Sequence, residues 1–69
     1  MSAQLSLTVN GELRRTSAAT IAALVTDLGL KPEKVAVERN GVIVPRSTLA
    51  EAALADGDVL EIVHFVGGG

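Results

Sequence analysis

The stretch SAATIAALVTDLGLKP, residues 17–32, decides the fold. Ile21, Leu24, Val25 and Leu28 fall at i, i+3, i+4 and i+7, which is one face of a helix. Ser17 stands where a hydroxyl can accept a free backbone N–H of the first turn. Gly29 occupies the left-handed position that closes a helix, and Pro32 prevents continuation. The spacing predicts a helix over about Ala18 to Leu28 whose apolar face needs a surface to lie on.

Working outward from this helix, both flanks read as hairpins. On the N-terminal side Leu5, Leu7 and Val9 alternate with Ser6 and Thr8, the period-two pattern of a strand with one buried face. Asn10-Gly11 follows, and both residues tolerate positive φ. A second strand is expected from Glu12 to Thr16. A strict two-residue loop sets Val9 against Glu12 and turns Leu13 to the polar side. A three-residue loop with a glycine bulge sets Leu13 opposite Val9, and that version is expected because it groups the apolar residues.

On the C-terminal side Val35 to Arg39 reads as a third strand, Asn40-Gly41 as a second turn and Val42 to Val44 as a short fourth strand stopped by Pro45. Thr48 and Glu51 have capping-box spacing, so a helical turn over about Thr48 to Ala53 is expected. Asp56-Gly57-Asp58 is a turn, and Val59 to Val66 is a final strand running into Gly67-Gly68-Gly69. These glycines have no side chains to pack and are expected to be mobile.

The order of elements predicts an α+β layer pair: a mixed sheet of about five strands with one helix across one face. The first and last strands then lie side by side and parallel in the middle. The expected core is Leu5, Leu7, Val9, Ile21, Leu24, Val25, Leu28, Val37, Leu60 and Ile62. One domain over residues 1–66 and a glycine tail over 67–69 account for the whole sequence.

Composition narrows the function classes. At 69 residues the chain has room for one small domain, and without cysteine it has neither disulfides nor a thiolate nucleophile. Apolar residues make up 48%, nearly all aliphatic, with Phe65 the lone aromatic. The net charge is -2 and the six basic residues are dispersed, which argues against nucleic-acid binding. No apolar run approaches the ~20 residues of a membrane-spanning helix. The N-terminus lacks the regions of a signal peptide, so a cytoplasmic protein is expected.

Few residues carry chemistry. His64 is the single histidine, and no serine and acid arrangement surrounds it. Glu61 and His64 are three apart on a strand and face opposite ways, so no metal site is expected there. Asp56, Asp58 and Glu61 read as turn chemistry and a solvated strand face. The glycine run opens no helix and so cannot cradle a phosphate. Its position is more telling: it follows the most hydrophobic strand without a polar spacer, behind Phe65 and Val66. The sequence stops at Gly69, and the expectation is that its α-carboxylate is presented to a partner. Glycine backbone can thread a narrow channel without Cβ clashes, while Phe65 and Val66 offer contacts that offset the ordering entropy.

Val-Ala-Val-Glu-Arg-Asn-Gly from Val35 to Gly41, Ile-Val-Pro-Arg from Ile43 to Arg46, Ala-Asp-Gly-Asp from Ala55 to Asp58 and Glu-Ile-Val from Glu61 to Val63 resemble the ThiS family of thiamine-pathway sulfur carriers. Leu-Thr-Val-Asn-Gly-Glu from Leu7 to Glu12 fits as well. The resemblance implies the ubiquitin-like β-grasp fold and a carrier that is not itself an enzyme and binds no cofactor. It implies that Gly69 is adenylated by a ThiF-like adenylyltransferase, which consumes ATP and Mg²⁺, and is then converted to a thiocarboxylate. The sulfur would come from cysteine through a desulfurase and pass to a ThiG-like thiazole synthase. The family commonly ends in two glycines, so Gly68 and Gly69 take that role and Gly67 becomes an added hinge. Arg39 and Arg46, inside the matching segments, join Phe65 and Val66 as expected partner contacts, since arginine pairs bidentately with carboxylates. Molybdopterin-synthase small subunits and ubiquitin-type modifiers share this fold and tail and are the alternatives.

Overall fold

A computed structural model describes residues 3–66. Five strands, β1 (Leu5–Val9), β2 (Glu12–Thr16), β3 (Val35–Arg39), β4 (Val42–Val44) and β5 (Val59–His64), form one sheet in the order β2-β1-β5-β3-β4. The helix α1 (Ile21–Asp27) connects the two hairpins. β1 and β5 are parallel neighbours at the centre and the other pairs are antiparallel. This is the expected ubiquitin-like β-grasp arrangement.

The core lies between α1 and one face of the sheet. Ile21, Leu24 and Val25 pack with Leu7, Val9, Val35, Val37, Leu60 and Ile62. Leu5 and Leu28 are only partly buried at its margin. Val35, Leu49 and Leu54 belong to the core although periodicity did not single them out. Leu49 and Leu54 come from the irregular segment before β5, which is bonded to the N-terminal end of the helix. Its Ala52 carbonyl accepts from the Ile21 N–H at 3.0 Å, and its Leu54 N–H donates to the Ala19 carbonyl at 2.9 Å.

Four local expectations are corrected. The β1–β2 loop is the strict two-residue version, with Val9 opposite Glu12 and Thr8 opposite Leu13. Asn10 and Gly11 both have positive φ, 51° and 83°, the mirror-image turn whose twist matches the strands it joins. Leu13 therefore points away from the helix and is 77% exposed. The helix begins later than expected, because Thr20, not Ser17, is the N-cap: its Oγ1 accepts from the Ala23 N–H at 3.2 Å. Residues 17–19 are held by other bonds, among them the Ala18 N–H donating to Thr16 Oγ1.

The capping box at Thr48 does not form, since Thr48 Oγ1 donates to the Pro45 carbonyl and closes a 3-10 turn over Arg46–Thr48. Finally, β5 ends at His64 rather than Val66. A further 3-10 turn, Pro32–Lys34, fills the connection after α1.

Candidate functional site

The expected site is the C-terminal exit. Gly67, Gly68 and Gly69 lie outside the described residues, so the site is built from what leads to them. β5 is paired with β1 at Val59 and Leu60 and with β3 from Leu60 as far as His64, opposite Val35. His64 itself is exposed. One more bond continues the line, the Phe65 N–H donating to the Lys34 carbonyl at 2.8 Å. Phe65 is 45% exposed and Val66 is 84% exposed, so two apolar side chains stand in solvent directly before the glycines.

Phe65 also has an intramolecular neighbour. The Arg46 guanidinium carbon lies 5.9 Å from the centroid of its ring, at the outer limit of a cation–π contact. Arg46 Nε donates to the Val35 carbonyl at 3.4 Å. Arg46 thus stands beside the exit, on the segment that leaves β4, and steadies the one aromatic ring there.

Arg39 is placed differently. Its guanidinium lies 3.6 Å from the Asp58 carboxylate and also donates to the Ala53 carbonyl. Asp58 is buried, and its second carboxylate role is to accept from the Ala55 N–H at 2.9 Å and from Asn40 Nδ2 at 3.3 Å. Arg39 is therefore occupied in fastening the loop before β5 to the second hairpin. The structure brings Arg46, Phe65 and Val66 together and sets Arg39 apart from them.

A second surface was not picked out by the sequence reading. The face of the sheet away from α1 carries Leu13, Ile43, Val59 and Val63, all substantially exposed, with Glu38 directly opposite Glu61 between β3 and β5. A shallow cleft there is lined by Ala36, Glu38, Ile43, Glu61 and Val63. The available signal was the alternation of β5, in which Val59, Glu61 and Val63 share a face opposite Leu60 and Ile62. Among the described residues no group of three or more acidic residues and histidine is placed to hold a metal ion. No described helix is long and apolar enough to cross a membrane.

The sequence matches the model of the ThiS family over residues 7–69. The chain belongs to the ThiS family. It is 48% identical to the sulfur carrier protein ThiS of Bacillus subtilis over 50 residues, covering 72% of this chain and 76% of that protein. It is 54% identical over 66 residues to a thiazole synthase of Paramagnetospirillum magneticum, covering 94% of this chain. The chain spans only 20% of the length of that synthase. Its fold is similar to the crystal structure of the thiamine biosynthesis protein ThiS from Geobacter metallireducens, with a TM-score of 0.76 and 33% identity over 94% of this chain and all of that one. ThiS membership extends through the glycines, since the matched segment runs to Gly69.

Proposed function

We propose that this ThiS-family chain is a sulfur carrier of thiamine biosynthesis whose cargo is held as a thiocarboxylate at Gly69. The observation that carries the reading is the family match reaching through the glycine run, joined to a central strand that leads straight into it. The chemistry follows from the weakness of a carboxylate as an electrophile. A ThiF-like adenylyltransferase lets the Gly69 carboxylate oxygen attack the α-phosphorus of Mg²⁺-bound ATP, with pyrophosphate leaving. The terminal sulfur of a persulfide, formed with sulfur from a cysteine desulfurase, then attacks the carbonyl carbon and displaces AMP, giving an acyl disulfide; a partner thiol cleaves its S–S bond, releasing the Gly69 thiocarboxylate and leaving a disulfide on the partner side. The chain has no cysteine and so contributes no thiolate of its own to this step.

The body supplies binding and placement. Phe65 and Val66 lie exposed at the exit, where burial against the activating enzyme offsets the ordering of the glycines. A thiazole synthase is the proposed acceptor, which agrees with the similarity to two proteins of that name. Reconstitution tests this. The charged carrier, offered to thiazole synthase with its intermediate, should yield sulfur-bearing thiazole. Transfer to a molybdopterin precursor but not to the thiazole intermediate would assign the chain to the other carrier class.

A further inference from the structure

Asn10-Gly11 and Asn40-Gly41 share a chemistry that the tail does not use. Asparagine followed by glycine is the pair in which a backbone nitrogen most readily attacks a side-chain carboxamide, because glycine has no Cβ to obstruct the approach. Both turns are exposed, and both asparagines stand at positive φ, 51° and 52°. The ring closes when the carboxamide carbon swings to the next residue's nitrogen. In this fold each carboxamide is instead tied to the chain entering or forming β5. Asn10 is held by two bonds to one residue of that strand: Oδ1 accepts from the Ile62 N–H at 2.8 Å, and Nδ2 donates to the Ile62 carbonyl at 3.1 Å. Asn40 has one bond of that quality, Oδ1 accepting from the Val59 N–H at 2.9 Å. Its Nδ2, the nitrogen that leaves in such a reaction, donates to the Asp58 carboxylate at 3.3 Å, a longer and weaker contact.

We propose that Asn40-Gly41 is a deamidation site gated by the fold, and that Asn10-Gly11 is a second, better protected one. The Gly41 nitrogen attacks Cγ of Asn40 and gives up its proton. The bond from Cγ to Nδ2 breaks, ammonia leaves, and a succinimide closes. Water then adds to either ring carbonyl. Opening one C–N bond yields aspartate; opening the other yields isoaspartate, whose main chain runs through the former side chain. Water is the sole co-reactant, and the chain gains a negative charge. The products undo the clamp that slowed them. Aspartate at position 40 sets a carboxylate oxygen where Nδ2 donated, against the buried Asp58 carboxylate, and Arg39, 3.6 Å from Asp58, offsets part of that repulsion. Isoaspartate adds a backbone atom to a two-residue loop whose length sets Arg39 opposite Val42. At position 10 aspartate turns a carboxylate oxygen towards the Ile62 carbonyl. Both lesions weaken the hold on β5, the strand that leads to the glycines. The reaction needs neither ATP nor a partner protein, so it stands apart from the sulfur-carrier reading.

The test incubates the full chain in warm, mildly alkaline buffer, folded in one sample and unfolded in urea in the other. Peptides spanning each turn are followed by mass spectrometry for the gain that exchanges an amide NH2 for OH, and fragmentation separates isoaspartate from aspartate. In urea the two sites should convert at similar rates, because each asparagine precedes a glycine. In the folded chain both should slow, and Asn40 should convert about fivefold faster than Asn10, the factor that one further hydrogen bond contributes to an opening equilibrium. N40D, which carries the aspartate product from the outset, should unfold at lower urea concentration than wild type. Equal rates in the folded and unfolded samples would show that the bonds to β5 gate nothing, and would overturn the proposal. Conversion of Asn10 ahead of Asn40, an Asn40 that never converts in the folded chain, or an N40D variant as stable as wild type would also overturn it.

Discussion

The side-chain amide of Asn10 exchanges two hydrogen bonds with the backbone of Ile62: Asn10 Oδ1 accepts from the Ile62 N–H at 2.8 Å, and Asn10 Nδ2 donates to the Ile62 carbonyl at 3.1 Å. The amide imitates a peptide group and prolongs the parallel β1–β5 ladder past the point where the backbone turns away. Asn40 does the related task from the other flank. Its Oδ1 accepts from the Val59 N–H at 2.9 Å, and its own N–H donates to the Val59 carbonyl at 2.7 Å. Both Asn-Gly turns therefore clamp the strand that leads to the glycines, and Asn40-Gly41 does more than reverse the chain.

Substituting Asn10 with glycine keeps the positive φ of the turn and removes only the side-chain bonds to Ile62. The expected loss is about 1–3 kcal/mol, because the Ile62 backbone groups lose partners. Urea denaturation of the purified domain measures it. A loss confined to a few tenths of a kcal/mol would mean that water replaces the amide freely.

Leu13→Thr tests the register of the first hairpin. With Leu13 on the outer face, the change should shift stability by less than about 0.5 kcal/mol. In the bulged register Leu13 belongs to the core, and the same change would be severe. Leu24→Ala is the matched control, expected to cost about 2–5 kcal/mol in the same melts because Leu24 is buried on the core face of α1.

Phe65→Ala and Arg46→Ala address the exit. Phe65 is exposed and its contact with Arg46 lies at the outer limit of range, so each variant should lose no more than about 1 kcal/mol of stability. Phe65→Ala should nonetheless raise the KM for adenylation, since its ring is proposed to bury against the enzyme. Unfolding of Phe65→Ala, with normal adenylation of the folded fraction, would place the ring in a structural role instead.

Much of this architecture is legible in the residues themselves. The i, i+3, i+4 spacing of Ile21, Leu24 and Val25 reveals the buried face of α1, and two Asn-Gly pairs mark the turns, because these conformations are forced by local sterics. The β1–β2 register is not legible in the same way. Burial of Leu13 and the twist of a two-residue turn point in opposite directions, and the turn prevails because β2 is an edge strand whose outer face is open. Thr20 and Ser17 offer the same hydroxyl chemistry, and only the bonds of residues 18 and 19 to Thr16 and Leu54 decide where the helix starts. Arg39 shows a related limit. Its charge suggests a partner, but Asp58, distant in sequence, is the group beside it.

Intact mass spectrometry of the chain after incubation with the adenylating enzyme, ATP, Mg²⁺, desulfurase, cysteine and a thiol reductant tests the central claim most directly. A thiocarboxylate at Gly69 predicts a gain equal to the difference between sulfur and oxygen, confined to the C-terminal fragment and abolished when Gly69 is deleted. An unchanged mass in the wild-type chain, or an equal gain in the deletion variant, would contradict it.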